Sequence, residues 1–493
     1  MKKRSLWISA AAALVAAAAL AGCGRTTYFA GRNLPPSRLL NRILIAIQNP
    51  GVLSKGTLEI VDAYYDIRYG YTGQPASFSL SGYGGALPIS IQNMPEEQLG
   101  AVYGYGDGSF TLADYGTEKT TGTVSGLNGL STSIFITRNG QYVFASNQQA
   151  RVLTIVNRNT GASVPLSLPG ISRVSVNPGG TVALAFVQNS DYIYYPRQLS
   201  SAQSQAYSGG SSTWPRAAVD CEPQTAPTWC LFQAQSPDNV DSTGNSYGAP
   251  LTFDRPVKAV FSADGGTAYI LNCGPECGGS TASVSLLPTA PMIFTLGEES
   301  GALPTTAALS AACPSGGGAT SCTIPVPGGA SNALVDSSTM YVVGQQMMPD
   351  GVWGGHLTVL NLASQTAGSP VSISDGTPGT ASRMLEGDDN TLWIGMIQCT
   401  EGERYNNGQP YGCLTMYNTS TGKVVLLEPY AGDATGIANV EGLHKVYAVE
   451  GGQVYIYSTK DGSALDNQYV TVTGTAYDVA YMDATTDADN TVY

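Results

Sequence analysis

The sequence predicts an all-β fold, a β-propeller of four-stranded blades, with eight blades as the expected number and seven as the alternative. Three observations carry this. First, Ser133 to Gly161 reads SIFITRNGQYVFASNQQARVLTIVNRNTG, three short apolar runs separated by an Asn-Gly turn and a polar gap and closed by an Asn-Thr-Gly turn, the pattern of consecutive antiparallel strands. Second, similar groups of four runs recur about every 40 to 55 residues, the period of propeller blades. Third, the 493-residue chain has 59 Gly, 28 Pro and only 12% charged residues, with 43% hydrophobic, which suits a turn-rich β protein with ample core and argues against disorder. A single alternating sheet cannot cover its own apolar face, so the copies must stack.

Taken in order, the first unit has runs at Arg42 to Gln48, Gly56 to Asp62 and Ala76 to Ser81, with no innermost strand before them. The second has Pro88 to Gln92, Leu99 to Tyr105, Ser109 to Ala113 and Thr121 to Val124. The stretch quoted above, with Ala162 to Leu168, makes the third. The fourth holds Arg173 to Val176, Val182 to Val187 and Asp191 to Tyr195. Its continuation, Ser200 to Ala249, is rich in Ser, Gln, Gly and Pro and reads as an elaborated loop with one strand near Trp229 to Gln233. The fifth resumes with Lys258 to Phe261 and Ala268 to Asn272, swollen by a second insertion near 288–318. Units six to eight are regular, starting at Asn332, Ser382 and Gly436.

The segment Ala476 to Met482 (AYDVAYM) then looks like an innermost strand with no blade to follow, while the first unit lacks one. Pairing the two closes the ring and removes an open sheet edge. Residues 41–493 thus form one domain. A stacked sandwich fits less well, because the strands group in fours at one period.

The N-terminus predicts export. Met1-Lys2-Lys3-Arg4 is a positive start, Leu6 to Leu20 is an Ala-rich apolar run short for a membrane span, and Leu20-Ala21-Gly22-Cys23 stands at the cleavage position. This resembles the bacterial lipoprotein signal, which implies residues 1–22 as signal peptide, Cys23 as the lipid attachment site and 23–40 as a tether. Gly24 after the cysteine implies, by the same resemblance, the outer membrane. Cleavage would move the net charge from −13 to −16, since three cations and no acid leave; such a surface does not attract nucleic acid or anionic headgroups, so the membrane contact is expected through the acyl chains.

Eight further cysteines fall in local couples: Cys221 with Cys230, Cys273 with Cys277, Cys313 with Cys322, and Cys399 with Cys413. In an oxidising compartment these read as disulfides. The rival for Cys273-Gly-Pro-Glu-Cys277 is a metal site, but no His lies nearby to complete it.

Tyr269-Ile270-Leu271-Asn272, Tyr142-Val143 with Asn147, and the endings Val156 to Gly161 and Met416 to Gly422 resemble the YVTN-type repeats of secreted bacterial β-propellers. That resemblance implies a superfamily that includes lactonase-like enzymes, yet no stretch here accepts a lactonase catalytic residue. Only two histidines exist, His356 opening a strand and His444 in a turn, and no Gly-x-Ser-x-Gly, HExxH or P-loop occurs. The acids Glu386, Asp388 and Asp389, and Asp483, Asp487 and Asp489, could hold calcium but equally suit turns. Binding aromatics are sought at Tyr64, Tyr65, Tyr69 and Tyr71, with Trp214, Trp229 and Trp353 in loops. The expected function is an exported binding or scaffolding module for an envelope protein or glycan, with both insertions crowding one rim and without cofactor or metal. The alternatives are a lactonase-like or carbohydrate-active enzyme using carboxylates near the central channel, and a purely structural envelope protein.

Overall fold

In a computed structural model, the chain forms eight antiparallel sheets arranged as the blades of one ring. The structure describes residues 35–49, 54–66, 78–124, 127, 130–201, 204, 218–223, 228–234, 250–294, 322–374, 379–399, 407, 413–427, 432–470 and 472–486. Cys23, Tyr69, Tyr71, Trp214, Cys313, Asp487 and Asp489 lie outside these, as does most of both insertions.

Blade 1 contains β1 (Arg42–Gln48), β2 (Thr57–Asp62) and β3 (Phe78–Ser79), and its innermost strand is β34 (Thr475–Tyr481) from the other end of the chain. Each later blade starts with its innermost strand: β4 (Pro88–Met94), β8 (Ser133–Ile136), β12 (Ile171–Val176), β17 (Pro256–Phe261), β21 (Asn332–Asp336), β26 (Thr380–Gly387) and β30 (Ala434–Val440). The closure expected from AYDVAYM is therefore present. β1 pairs with β34 from Ile43 opposite Tyr481 to Gln48 opposite Thr475.

Apolar residues alternate between the two faces of each blade, so every blade contributes to two cores. Eight buried clusters result, one between each pair of neighbours. Ile43, Ile45 and Val479 meet Tyr447 and Val449 of blade 8, while Leu44, Ala46 and Ile60 meet Ile91 and Val102 of blade 2. Burying each such aliphatic side chain stabilises by about 1.5–3 kcal/mol, and truncating Leu44, fully buried, to Ala is the kind of change that costs about 2–5 kcal/mol.

Backbone also packs directly against backbone within a blade. Gly344 of β22 (Thr339–Met347) approaches Gly329 so closely that a Cβ on Gly344 would lie 2.3 Å from the Gly329 carbonyl carbon. Any side chain there would separate the strand from its loop.

Three details differ from the sequence reading. The first insertion is not only loop: β15 (Ala218–Glu222) and β16 (Trp229–Gln233) form a hairpin on the outer edge of blade 4, where β14 (Ile193–Gln198) pairs with β16. Trp229 is consequently a core residue rather than a loop residue, 4% exposed and packed edge-on against Tyr142 with ring centroids 5.5 Å apart. The second insertion leaves β19 (Ser283–Pro288) by first tucking Met292 and Phe294 into the cores flanking blade 4. Both insertions depart from third strands, β14 and β19, at the same end of the ring.

Ring closure is reinforced by a buried charged knot. Arg42 binds Asp483 through its backbone N at 2.8 Å and through Nη2 at 2.5 Å, and donates from Nη1 to Glu118 at 2.9 Å and to the Tyr115 carbonyl at 2.6 Å. Glu118 in turn accepts from the Ser37 backbone N at 2.9 Å, which fastens the segment before β1. Burial alone would lower the Arg42 pKa, but the two carboxylates outweigh it and the net shift is upward. Asp483 is thus a structural partner of Arg42 in this knot.

Candidate functional site

The eight innermost strands line a central cavity of about 680 Å³, within the range of small-molecule sites. It runs from the turns that end these strands, with Arg138, Asn177 and Asp336 at the mouth, down to Lys258.

A ring of equivalent positions lies at the depth reached by Lys258. In six blades the register slips by one residue near the start of the inner strand, and the residue just past the slip is Asp478, Ser90, Arg173, Lys258, Arg383 or Gly436. A β-bulge re-aims the side chain that follows it. Blades 3 and 6 start their inner strands at Ser133 and Asn332, which fill the same level. Hydrogen bonds run around the ring: Asp478 Oδ2 accepts from the Ile91 N at 2.7 Å, Ser133 Oγ accepts from the Val174 N at 3.2 Å, and Lys258 Nζ donates to Asn332 Oδ1 at 2.6 Å. Gly436 leaves room for the acid beside it, since a Cβ there would stand 2.6 Å from Asp478 Oδ1.

The charges on this ring are segregated. Blades 4 to 7 present Arg173, Lys258, Asn332 and Arg383 in succession; blades 8 and 1 to 3 present Gly436, Asp478, Ser90 and Ser133. The three cations feel one another. Burial, then Arg173 and Arg383, hold the Lys258 ammonium well below its ordinary pKa, and burial, then Arg383, lower that of Arg173. Among the described residues, the Arg173 side chain has no hydrogen-bond or ion-pair partner.

Nearer the mouth the polarity reverses. Glu386 lines the cavity next to Asp336 and Ser337. Burial, and then the Asp336 charge, push its carboxyl up to about 7. A carboxylic acid that is half protonated near neutrality in a cleft can donate, accept or transfer a proton.

The sequence-predicted site residues are dispersed. Tyr64 and Tyr65 are exposed and stack edge-on, 4.8 Å apart, at a corner where Lys445 holds Asp66 at 2.5 Å; Trp353 is half-buried at the start of β23 (Trp353–Asn361). His356 is buried, its Nδ1 2.9 Å from the Gly354 carbonyl. His444 is exposed and meets Asp389 at 2.9 Å. Asp388 accepts from the His444 backbone N at 2.9 Å, and Asp389 accepts from Thr459 Oγ1 at 2.6 Å. Those two acids therefore tie blade 7 to blade 8, and only Glu386 of the cluster faces the channel.

Three of the expected disulfides are present among the described residues: Cys221–Cys230 across the β15–β16 hairpin, Cys273–Cys277, and Cys399–Cys413; the fourth couple involves Cys313, outside those residues. The Cys273–Cys277 loop carries Glu276, which accepts from the Gln345 N of blade 6 at 2.9 Å while burial raises its pKa to about 6. The ligand-like spacing there serves a clasp between blades. Asp433 groups with Cys399 and Cys413 within 4.8 Å, but the two sulfurs are bonded to each other and are not free thiolates.

Arg173, Lys258 and Arg383 were not recognised as a site from sequence. Their signal is positional. Each stands at the same place in its repeat, which becomes visible only when the inner strands are aligned on one another.

No protein-family model and no curated protein sequence matches the chain. Among solved structures it is similar to the dihydro-heme d1 dehydrogenase NirN, with 12% identity, a TM-score of 0.50, and coverage of 92% of this chain and 79% of that one. It is also similar to the periplasmic gluconolactonase PpgL of Pseudomonas aeruginosa (15% identity, TM-score 0.39, covering 90% and 98%) and to apo AztD of Citrobacter koseri (9%, 0.47, covering 90% and 97%). At such identities the likeness establishes the propeller fold alone.

Proposed function

We propose that the chain is an exported, lipid-anchored propeller that acts as a binding module of the cell envelope and receives its ligand in the central channel. The occupant is a small molecule or the end of an envelope glycan or peptide. The observation that carries this is the channel itself: a cavity of about 680 Å³ in which Lys258, Asp336 and Glu386 converge from three blades. Concave sites with a few convergent polar groups and perturbed acids are where ligands bind. The expected binding aromatics offer less: of those described, Tyr64 and Tyr65 are exposed, while Trp353 is half-buried and Trp229 buried. The anchor rests on the Leu-Ala-Gly-Cys sequence ending at Cys23.

The test narrows the channel with Val260→Trp, a lining position, and compares small molecules retained by the variant and the parent in native mass spectrometry. Loss of a retained species in the variant supports channel binding; equal retention refutes it. For the anchor, Cys23→Ala is expected to release the protein from membranes, and continued membrane association would remove that part of the reading.

A second reading, a lactonase-like or carbohydrate-active hydrolase, is favoured by one observation, the raised Glu386 beside Asp336. As a general acid or base Glu386 would give a rate that falls by roughly 100-fold or more in Glu386→Gln. Turnover of no lactone or oligosaccharide in a broad screen, or turnover indifferent to that substitution, leaves the binding reading alone.

A further inference from the structure

We infer that the channel takes an apolar small molecule carrying one protonated amine, its body held in an apolar belt of the inner strands and its ammonium beside Asp336 and Glu386. This rests on the channel-binding reading and names the chemistry of its occupant.

The belt sets the body. Side chains along a strand repeat with a period of two, so the level next to that of Lys258 lies two residues further along each inner strand. There Phe135, Val260, Leu334 and Ala480 line the cavity from blades 3, 5, 6 and 1. The two polar side chains at this level are already engaged by backbone of the following blade. Gln92 accepts from the Ile136 N and donates to the Ile136 carbonyl, both at 2.9 Å, and Ser175 Oγ accepts from the Ala259 N at 3.2 Å. A sugar hydroxyl brought to the belt would give up its hydrogen bonds to water without replacement, whereas an apolar body gains by leaving water. The cavity of about 680 Å³ is of the size that encloses such a body.

Charge selects the head group. Asp336 ends β21 of blade 6 and Glu386 stands near the end of β26 of blade 7, so both acids border the cavity on the mouth side of the belt. Asp336 Oδ1 accepts from the neutral Ser337 hydroxyl at 3.0 Å. Among the described residues neither acid has a salt bridge, and the influences on Glu386 are burial and the Asp336 charge. The cations of the same wall are directed elsewhere: Arg138 Nη2 pairs with Glu96, and Lys258 Nζ donates to Asn332 Oδ1 at 2.6 Å. Two carboxyls that feel one another oppose each other's ionisation, and a ligand ammonium beside them offsets this with charge-assisted hydrogen bonds. The formal charge of −13 works in the same sense, since it draws cations towards the molecule and repels anions.

The experiment is isothermal titration and thermal unfolding of the full mature chain with three probes that share one apolar body, 1-naphthylmethylamine, 1-naphthylmethanol and 1-naphthoate, and with glucose as a polar control. Saturable binding of the amine with a rise in Tm is expected, roughly tenfold or more tighter than the alcohol, with naphthoate and glucose weaker still. In Glu386→Gln the affinity for the amine should fall by roughly tenfold while that for the alcohol holds, and Asp336→Asn, at an exposed position, should repeat the loss. An unliganded Tm of Glu386→Gln equal to or above that of the parent shows that the variant is folded. Binding of naphthoate or glucose as tight as that of the amine, equal affinity for amine and alcohol, unchanged amine affinity in both variants, or no binding of any probe refutes the amine. Loss of a retained species in Val260→Trp would then leave the channel reading standing, and equal retention would remove both.

Discussion

Two buried charged regions of this molecule solve opposite problems. At the ring closure, Arg42 is matched by Asp483 and Glu118, all three side chains 4% exposed or less. On the channel arc, three cations share one level with an asparagine. The first arrangement is self-sufficient and reads as structure. The second gathers like charges at one level, where they oppose one another's ionisation, and a perturbed cluster of that kind marks a candidate site more than a fastening.

The sharpest way to break this comparison is at the knot. Arg42→Ala strands two buried carboxylates and is expected to cost about 3–5 kcal/mol, measured as a lowered denaturant midpoint with unchanged slope. A loss below about 1 kcal/mol would mean that the closure does not depend on this pair. Lys258→Met should have the opposite sign, with a gain of about 1–3 kcal/mol, because it removes a buried like charge and keeps the volume. The gain should shrink as pH rises towards the ordinary lysine value: a depressed lysine gives up its proton more easily folded than unfolded, so the parent recovers stability at alkaline pH. A destabilised Lys258→Met at neutral pH would put Lys258 with the fastenings.

Glu386 sharpens the contrast more gently. Its folded pKa is about 7 against an ordinary 4.5, so the folded state holds its proton more tightly and the parent loses stability as pH rises from about 4.5 to about 7. Below that window Glu386→Gln should match the parent. Above it the variant should be the more stable by about 1 kcal/mol, a figure reduced for partial solvent screening. Parallel pH profiles for the two proteins would show that the carboxyl titrates normally.

The ring order and closure were legible in the sequence because they follow from apolar alternation and turns, which are local. Most inner strands fall where the pattern put them, and AYDVAYM pairs as expected. What was not legible depends on partners remote in the chain. β15, AVDCE, shows no clean alternation, with one buried residue in five, since it only edges the sheet. Phe294 looks like loop but fills a core shared with Phe144 and Trp229. The pattern placed Trp229 on a strand, yet its core burial could not be seen without those partners. The channel cations were hidden differently. A cation at the start of a strand is ordinary in any one repeat, and only their common ring position makes three of them a cluster.

β34, the last strand among the described residues, is the innermost strand of the first blade, and the knot joins residues 441 positions apart. During synthesis, therefore, the other strands of blade 1 wait for their partner until a residue 441 positions further along has been made. The ring works as a completeness check. A chain lacking β34 would leave blade 1 with a bare inner edge and leave Arg42 buried without Asp483, two marks by which quality control can tell an unfinished propeller from a finished one.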